Sequence, residues 1–260
     1  MRRSWTAGIL SCALAALGVL AGHGAGASHS QAAAPVIVGG SDAEQDYPFM
    51  ASFQRGGEHS CGGSLVGPDW VLTAAHCVDG VEPEDLDLRI GSKRWREGGE
   101  EATIAEVVVH PDFDWESAGS DIALVRLGEL AESAPIELGT AAEAGTRSRL
   151  LGWGQTCPDP GCGEPAETLQ QLDAEIIDPA ECESIDSASE LCTSYPGGDS
   201  GVCYGDSGGP QIVRTEDGWN LIGVTSRPGY EGPSCAKGPS IYTNAVAYTD
   251  WITDHTGPDR

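Results

Sequence analysis

The sequence predicts an all-β architecture, built as two barrels or sandwiches, and three features carry that prediction. Short runs rich in β-branched residues recur along the chain, bounded by Gly, Pro, Asp and Ser. Gly accounts for 36 of the 260 residues and Pro for 16, a density of turn formers that favours many short strands over long helices. Convincing helical periodicity is confined to one stretch near the C-terminus, 247–255. In chain order the strand-like runs are Trp70–Thr73, 103–109, 122–127, 148–151 and 221–225. The acidic, Pro-containing stretches 82–87 and 158–167 read as surface loops. No repeat of solenoid or propeller length is evident.

Composition narrows the function. Apolar residues make up 40% of the chain, which suits a folded globule of one large or two small domains. Forty acidic residues against 14 basic ones give a formal charge of −26. Nucleic acid and anionic membranes both need a basic face, so neither is an expected partner. At the N-terminus, Arg2 and Arg3 precede a short apolar run, 9–20, too short to span a bilayer. Ala25-Gly26-Ala27 then offers a small-x-small cleavage site, so 1–27 reads as a secretory signal cut near Ala27, of loosely bacterial character. Cys12 lies within the apolar run, and the eight remaining cysteines are an even set in an oxidising compartment. No Cys-x-x-Cys pair or histidine cluster marks structural zinc.

Three segments carry chemistry. Thr73-Ala74-Ala75-His76-Cys77 offers a base, Ser120-Asp121-Ile122-Ala123-Leu124 a carboxylate, and Gly205-Asp206-Ser207-Gly208-Gly209-Pro210 a hydroxyl among glycines. Serine is a weak nucleophile at neutral pH. A histidine must take its proton during attack, and a carboxylate must hold the imidazole in the right tautomer. Glycines beside the serine let the backbone turn so that N–H groups converge on a developing oxyanion. Each residue alone has a bland reading, as a solvated histidine, a turn aspartate or a loop serine. Their joint occurrence does not. His110-Pro111 lacks this setting and reads as a turn histidine, and His255 as a surface residue of the terminal helix.

The order His, Asp, Ser with these flanks resembles the chymotrypsin/trypsin family of serine proteases, over about residues 37–256. The resemblance implies two six-stranded antiparallel β-barrels, about 37–140 and 146–245, with the active site between them and a C-terminal helix over 246–256. His76 is then the general base and later the general acid, Asp121 its orienting carboxylate, and Ser207 the acyl-forming nucleophile. The N–H groups of Gly205 and Ser207 form the oxyanion hole. Ile37-Val38-Gly39-Gly40 looks like the family's mature N-terminus, with 28–36 as a short propeptide and the freed amine of Ile37 paired with Asp206. His59 matches a histidine that can hold that aspartate in the inactive form; a plain strand residue is the alternative. The residues before Ile37 are Ala34-Pro35-Val36, so activation by a trypsin-like enzyme is not implied. The resemblance also pairs Cys61 with Cys77, Cys182 with Cys192, and Cys203 with Cys235. Cys157 and Cys162 remain, for a tight local ring or a longer-range bond.

The specificity pocket departs from the family pattern. Trypsin-like members carry an Asp six residues before the nucleophile to meet substrate Arg or Lys, and here that position is Gly201. Asp199 would reach the pocket base only through a backbone bulge. Ser226-Arg227-Pro228 stands where relatives read Ser-Trp-Gly, and Pro228 removes one backbone donor to an extended substrate. Two readings follow. One is a small apolar pocket bounded by Val202, Pro228 and Ser240, which is favoured. The other is acidic specificity through Arg227 or Lys237. The family's calcium loop is not supported, because 92–101 is too short and too basic at its start, leaving Glu100 and Glu101 as a solvated turn. The expectation is a secreted, monomeric serine endopeptidase without metal or other cofactor, acting on protein or peptide substrates and open to protein protease inhibitors. A catalytically silent binding protein of the same fold is the rival. A lipase is disfavoured, since Gly205–Gly209 fits Gly-x-Ser-x-Gly but His76 and Asp121 precede the serine.

Overall fold

A computed structural model describes residues 37–257; the signal segment, the propeptide and Cys12 lie outside the described residues. The strands are β1 (Ser41–Asp42), β2 (Met50–Arg55), β3 (Glu58–Gly67), β4 (Trp70–Thr73), β5 (Asp87–Ile90), β6 (Glu100–Ala102), β7 (Ile104–Val109) and β8 (Ala123–Leu127). They continue with β9 (Glu137–Leu138), β10 (Arg147–Gly152), β11 (Gln170–Ile177), β12 (Glu190–Thr193), β13 (Pro210–Arg214), β14 (Trp219–Pro228) and β15 (Ser240–Asn244). Two α-helices accompany them, α1 (Ala75–Val78) and α2 (Thr249–Thr256).

The strands form two sheets. One runs β6-β5-β2-β3-β4-β8-β7, antiparallel throughout, as a curled seven-strand sheet. In the other, β11-β10-β13-β14-β15-β12 closes through a β11–β12 pairing into a six-strand barrel, with β1 added on β11 and β9 alongside β14. Closure removes the exposed strand edges that an open sheet would present. The fold is all-β with a short C-terminal helix, as the sequence predicts.

Side-chain alternation explains the layering. In β11 the burial alternates over Asp173–Ile176, with Asp173 and Glu175 outward and Ala174 and Ile176 inward. Phe53, Leu65, Leu72, Ile90 and Leu124 are sealed in one core, while Leu150, Ile222 and Tyr242 pack around Ile37 in a second. Burying each such side chain contributes roughly 1.5–3 kcal/mol. The strand β3 hides from a reading of local sequence, because Gly62 and Gly63 mimic a turn. A Cβ at Gly62 would sit 2.8 Å from the Gly209 Cα, and one at Gly63 2.8 Å from the Phe53 ring. Gly62 lets the segment that carries Ser207 lie directly on β3.

Two surface expectations change. Residues 82–87 are not one loop: Pro83–Asp85 form a 3-10 turn, and β5 begins at Asp87. Glu100 is not a freely solvated acid. It opens β6 and accepts the backbone N–H groups of Glu132 and Ser133, at 2.8 and 2.9 Å. Burial works against ionisation there, but these bonds outweigh it and hold the carboxyl below its ordinary range. Four disulfides join Cys61 to Cys77, Cys157 to Cys162, Cys182 to Cys192 and Cys203 to Cys235. No helix among the described residues is long and apolar enough to cross a membrane.

Candidate active site

His76 sits in the single turn α1, directly after the edge of β4. The Cys61–Cys77 bond fastens that turn to β3. Asp121 precedes β8, which is paired with β4, so the ladder itself sets the carboxylate beside the imidazole. The Asp121 Oδ2 accepts from His76 Nδ1 at 2.8 Å and from Ser226 Oγ at 2.6 Å, and Oδ1 accepts the His76 backbone N–H at 3.0 Å. Thr243 Oγ1 donates to the Asp121 carbonyl at 2.8 Å. Burial alone would raise the Asp121 pKa; the bonds from His76 and Ser226 outweigh it and leave it below the ordinary carboxylate value. A carboxylate acceptor at Nδ1 requires a proton there, which leaves Nε2 as the basic nitrogen of the neutral ring.

Ser207 approaches from the closed barrel. Its carbonyl accepts Gly62 N–H at 2.7 Å, and Gly62 adjoins Cys61, so a short chain of contacts runs from Ser207 to the turn bearing His76. Gly208 takes φ 76°, and a Cβ there would strike Thr73 Oγ1, so only glycine fits between the two halves of the site. Gly208 N–H and Gly209 N–H are spent on Thr225 and Asp206 carbonyls. Among the described residues, the N–H groups of Gly205 and Ser207 donate to no acceptor.

Asp206 is wholly buried and accepts Gly154 N–H and Cys203 N–H, both at 2.8 Å. A Cβ at Gly152 or Gly154 would collide with its carboxylate, which accounts for the Gly-Trp-Gly spacing. Burial drives its pKa from 3.8 up to about 7 against those two donors. His59 does not reach this carboxylate. Its Nδ1 pairs with Ser52 Oγ and its Nε2 with the Gly205 carbonyl, both at 2.8 Å. A carbonyl can only accept, so Nε2 carries the proton, and burial lowers the His59 pKa to about 4. Ile37 is fully buried at φ 45°, and Gly201 N–H donates to the Val38 carbonyl at 2.9 Å.

A pocket of about 220 Å³ opens beside Ser207. Val202, Ser226, Pro228 and Ser240 line it, together with Tyr204, Tyr230, Pro233 and Ala236, which sequence reasoning missed. Gly201 lies just outside the lining, and Asp199 and Lys237 are exposed away from it. Arg227, the candidate of the disfavoured acidic-specificity reading, is already paired. Its guanidinium forks onto the fully buried Glu190, with Nη2 at 2.9 Å from Oε2. Glu190 also accepts Gly119 N–H at 3.0 Å and Asp186 N–H at 2.8 Å. Glu190 opens β12, and nothing in the local sequence marks it as a buried ion-pair partner. Cys61, His76 and Cys77 cluster closely, but both sulfurs are tied in a disulfide and offer no thiolate to a metal.

The Trypsin family model matches residues 37–252, spanning every element of this site. The chain belongs to the trypsin family. It is 35% identical to a trypsin of Saccharopolyspora erythraea over 231 residues, covering 84% of this chain and 97% of that relative. It is 34% identical to trypsin epsilon of Drosophila erecta, covering 83% of this chain and 86% of the relative. A trypsin of Phaedon cochleariae matches at 34% identity, with 85% and 88% covered. Membership makes the chain a serine-type peptidase, a hydrolase acting on proteins or peptides.

Proposed function

We propose that the chain is a secreted serine endopeptidase working through an acyl-enzyme on Ser207, with a preference for an apolar residue before the cut. The observation that carries this is the Asp121 carboxylate, which collects the His76 Nδ1, the His76 backbone and the Ser226 hydroxyl while Ser207 is bound to the same scaffold. His76 Nε2 takes the Ser207 proton as Oγ attacks the substrate carbonyl, and the free N–H groups of Gly205 and Ser207 receive the oxyanion. The same nitrogen then protonates the leaving amine, and water reverses the sequence to release the acid. Among the described residues His76 and Ser207 share no hydrogen bond; contacts of this kind tighten when substrate orders a site. The His59 bond to the Gly205 carbonyl holds the peptide before Asp206 in place, which favours a formed oxyanion loop.

The pocket supports the specificity reading. Its one charged side chain, Arg227, is neutralised by Glu190, and its walls are Val202, Ala236, two tyrosines and prolines. A substrate cation would meet no carboxylate there. Ile37 supports activation by cleavage. A β-branched residue at φ 45° is strained by about 1–3 kcal/mol, and an N-terminal residue has no preceding carbonyl to clash with. Its freed ammonium would supply the cation that Asp206 lacks. The eight paired cysteines support export.

A fluorophosphonate probe tests the nucleophile: labelling should be lost in Ser207→Ala. Labelling that persists in that variant refutes the assignment, and an unlabelled parent starting at Ile37 would favour the silent binding protein. A fluorogenic peptide panel tests the pocket, and best turnover after Arg or Lys would overturn the apolar reading.

A further inference from the structure

A second cavity, of about 470 Å³, lies on the closed barrel and shares no lining residue with the pocket beside Ser207. Its lining concentrates a resource the chain is poor in, since only 14 of 260 residues are Lys or Arg. Arg147, Arg149 and Arg214 all face it, around Trp219. The guanidinium groups of Arg149 and Arg214 lie 5.1 and 5.2 Å from the Trp219 ring centroid.

The β10–β11 register sets Arg147 opposite Glu175 and Arg149 opposite Asp173, whereas Arg214 stands opposite Trp219 with no acid across its ladder. In the β10–β13 ladder, Arg149 stands opposite Ile212 and Leu150 opposite Gln211. Arg89, Arg94, Arg96, Arg126 and Arg227 each pair with a carboxylate, whereas Arg147 and Arg214 have none among the described residues. Two acids also line the cavity. Asp173 is consumed by Arg149, through bonds of 2.6 and 3.0 Å. Glu175 stands opposite Arg147 in the β10–β11 ladder and forms no ion pair with it. Two free guanidinium groups therefore oppose one free carboxylate, beside the apolar surface of Trp219 and Pro196.

We infer that this cavity binds an acidic peptide segment, of a protein substrate or partner, that alternates carboxylate and apolar side chains. Guanidinium groups receive carboxylates in a bidentate fork. The indole and proline surface suits an apolar side chain between them, which distinguishes a peptide from a sulfated sugar. The inference is independent of the peptidase chemistry, because no residue of the cavity belongs to that site.

The test is fluorescence anisotropy with a labelled peptide alternating Glu and Leu, and a control with Gln for Glu. The full chain carries Ser207→Ala so that the probes survive. The Glu peptide should bind at least about tenfold more tightly than the Gln peptide, and the preference should shrink between about 50 mM and 0.5 M salt. Arg147→Ala with Arg214→Ala should remove roughly tenfold or more in affinity, while Arg94→Ala leaves it unchanged. Both of the altered side chains are exposed and carry no ion pair, so the variant should fold, and an unchanged thermal midpoint checks this. Equal binding of the two peptides, or affinity that survives the double variant, overturns the inference. Binding of a sulfated polysaccharide without the Glu peptide overturns it in favour of a glycan site.

Discussion

Replacing Asp206 by Asn should change how stability depends on pH in a chain still joined at Val36. Two buried groups near the oxyanion loop titrate in opposite senses. Asp206 has its folded pKa raised to about 7 from 3.8, so the folded chain holds a proton that the unfolded chain releases. Stability then falls as pH rises through that window, by about 4 kcal/mol across roughly three pH units. His59 has its folded pKa lowered to about 4 from 6.5, so between those values the unfolded chain holds the extra proton. Stability rises there with pH, by about 3 kcal/mol. The two slopes cancel between about pH 4 and 6.5. In Asp206→Asn only the His59 slope remains. The variant should therefore gain about 3 kcal/mol over that range relative to its parent. A pH-independent loss of about 1–3 kcal/mol accompanies it, because the new amide turns a donor toward Gly154 N–H or Cys203 N–H. Urea unfolding followed by tryptophan fluorescence, in steps from about pH 4 to 7.5, reads both curves. Parallel curves for parent and variant would refute the argument, since they would mean that Asp206 is not held protonated in the uncut fold. In a chain beginning at Ile37, the parent's fall toward pH 7 should disappear.

Other outcomes follow from the same geometry. Arg227→Ala strands the Glu190 carboxylate in the interior and should cost about 2–4 kcal/mol in urea unfolding, whereas Arg227→Met with Glu190→Met should cost less than Arg227→Met alone. Gly154→Ala forces a methyl group into the Asp206 carboxylate, so it should lower both stability and the fraction of chains labelled by fluorophosphonate. Ser226→Ala removes a bond that keeps the Asp121 pKa low. The Asp121 carboxyl titration, followed by carbon NMR, should move to higher pH, and an unmoved titration would show that Ser226 does not tune Asp121.

The candidate site of this protein was legible because its residues lie in contiguous motifs. Ala74–Cys77, Asp121–Leu124 and Gly205–Pro210 each need a fixed local backbone, and that need leaves a pattern of small residues and glycines around His76, Asp121 and Ser207. Strand β7 was legible from its β-branched run, whereas β3 was obscured by Gly62 and Gly63, which make room for Gly209, far along the chain, and for Phe53 on the neighbouring β2. The same limit explains His59. Its position before Cys61 was readable, but its choice of the Gly205 carbonyl over the Asp206 carboxylate was not.

Residue order alone thus specified the strand-rich class and the three candidate segments, since both follow from periodicity and near-neighbour constraints. The specificity walls, the state of Asp206 and the partner of Arg227 needed the folded chain. Glu190 lies 37 residues from Arg227, and Gly154 52 residues from Asp206. Charge neutralisation and desolvation act through space, so a cation that looked free along the sequence became the partner of a buried carboxylate once the barrel closed.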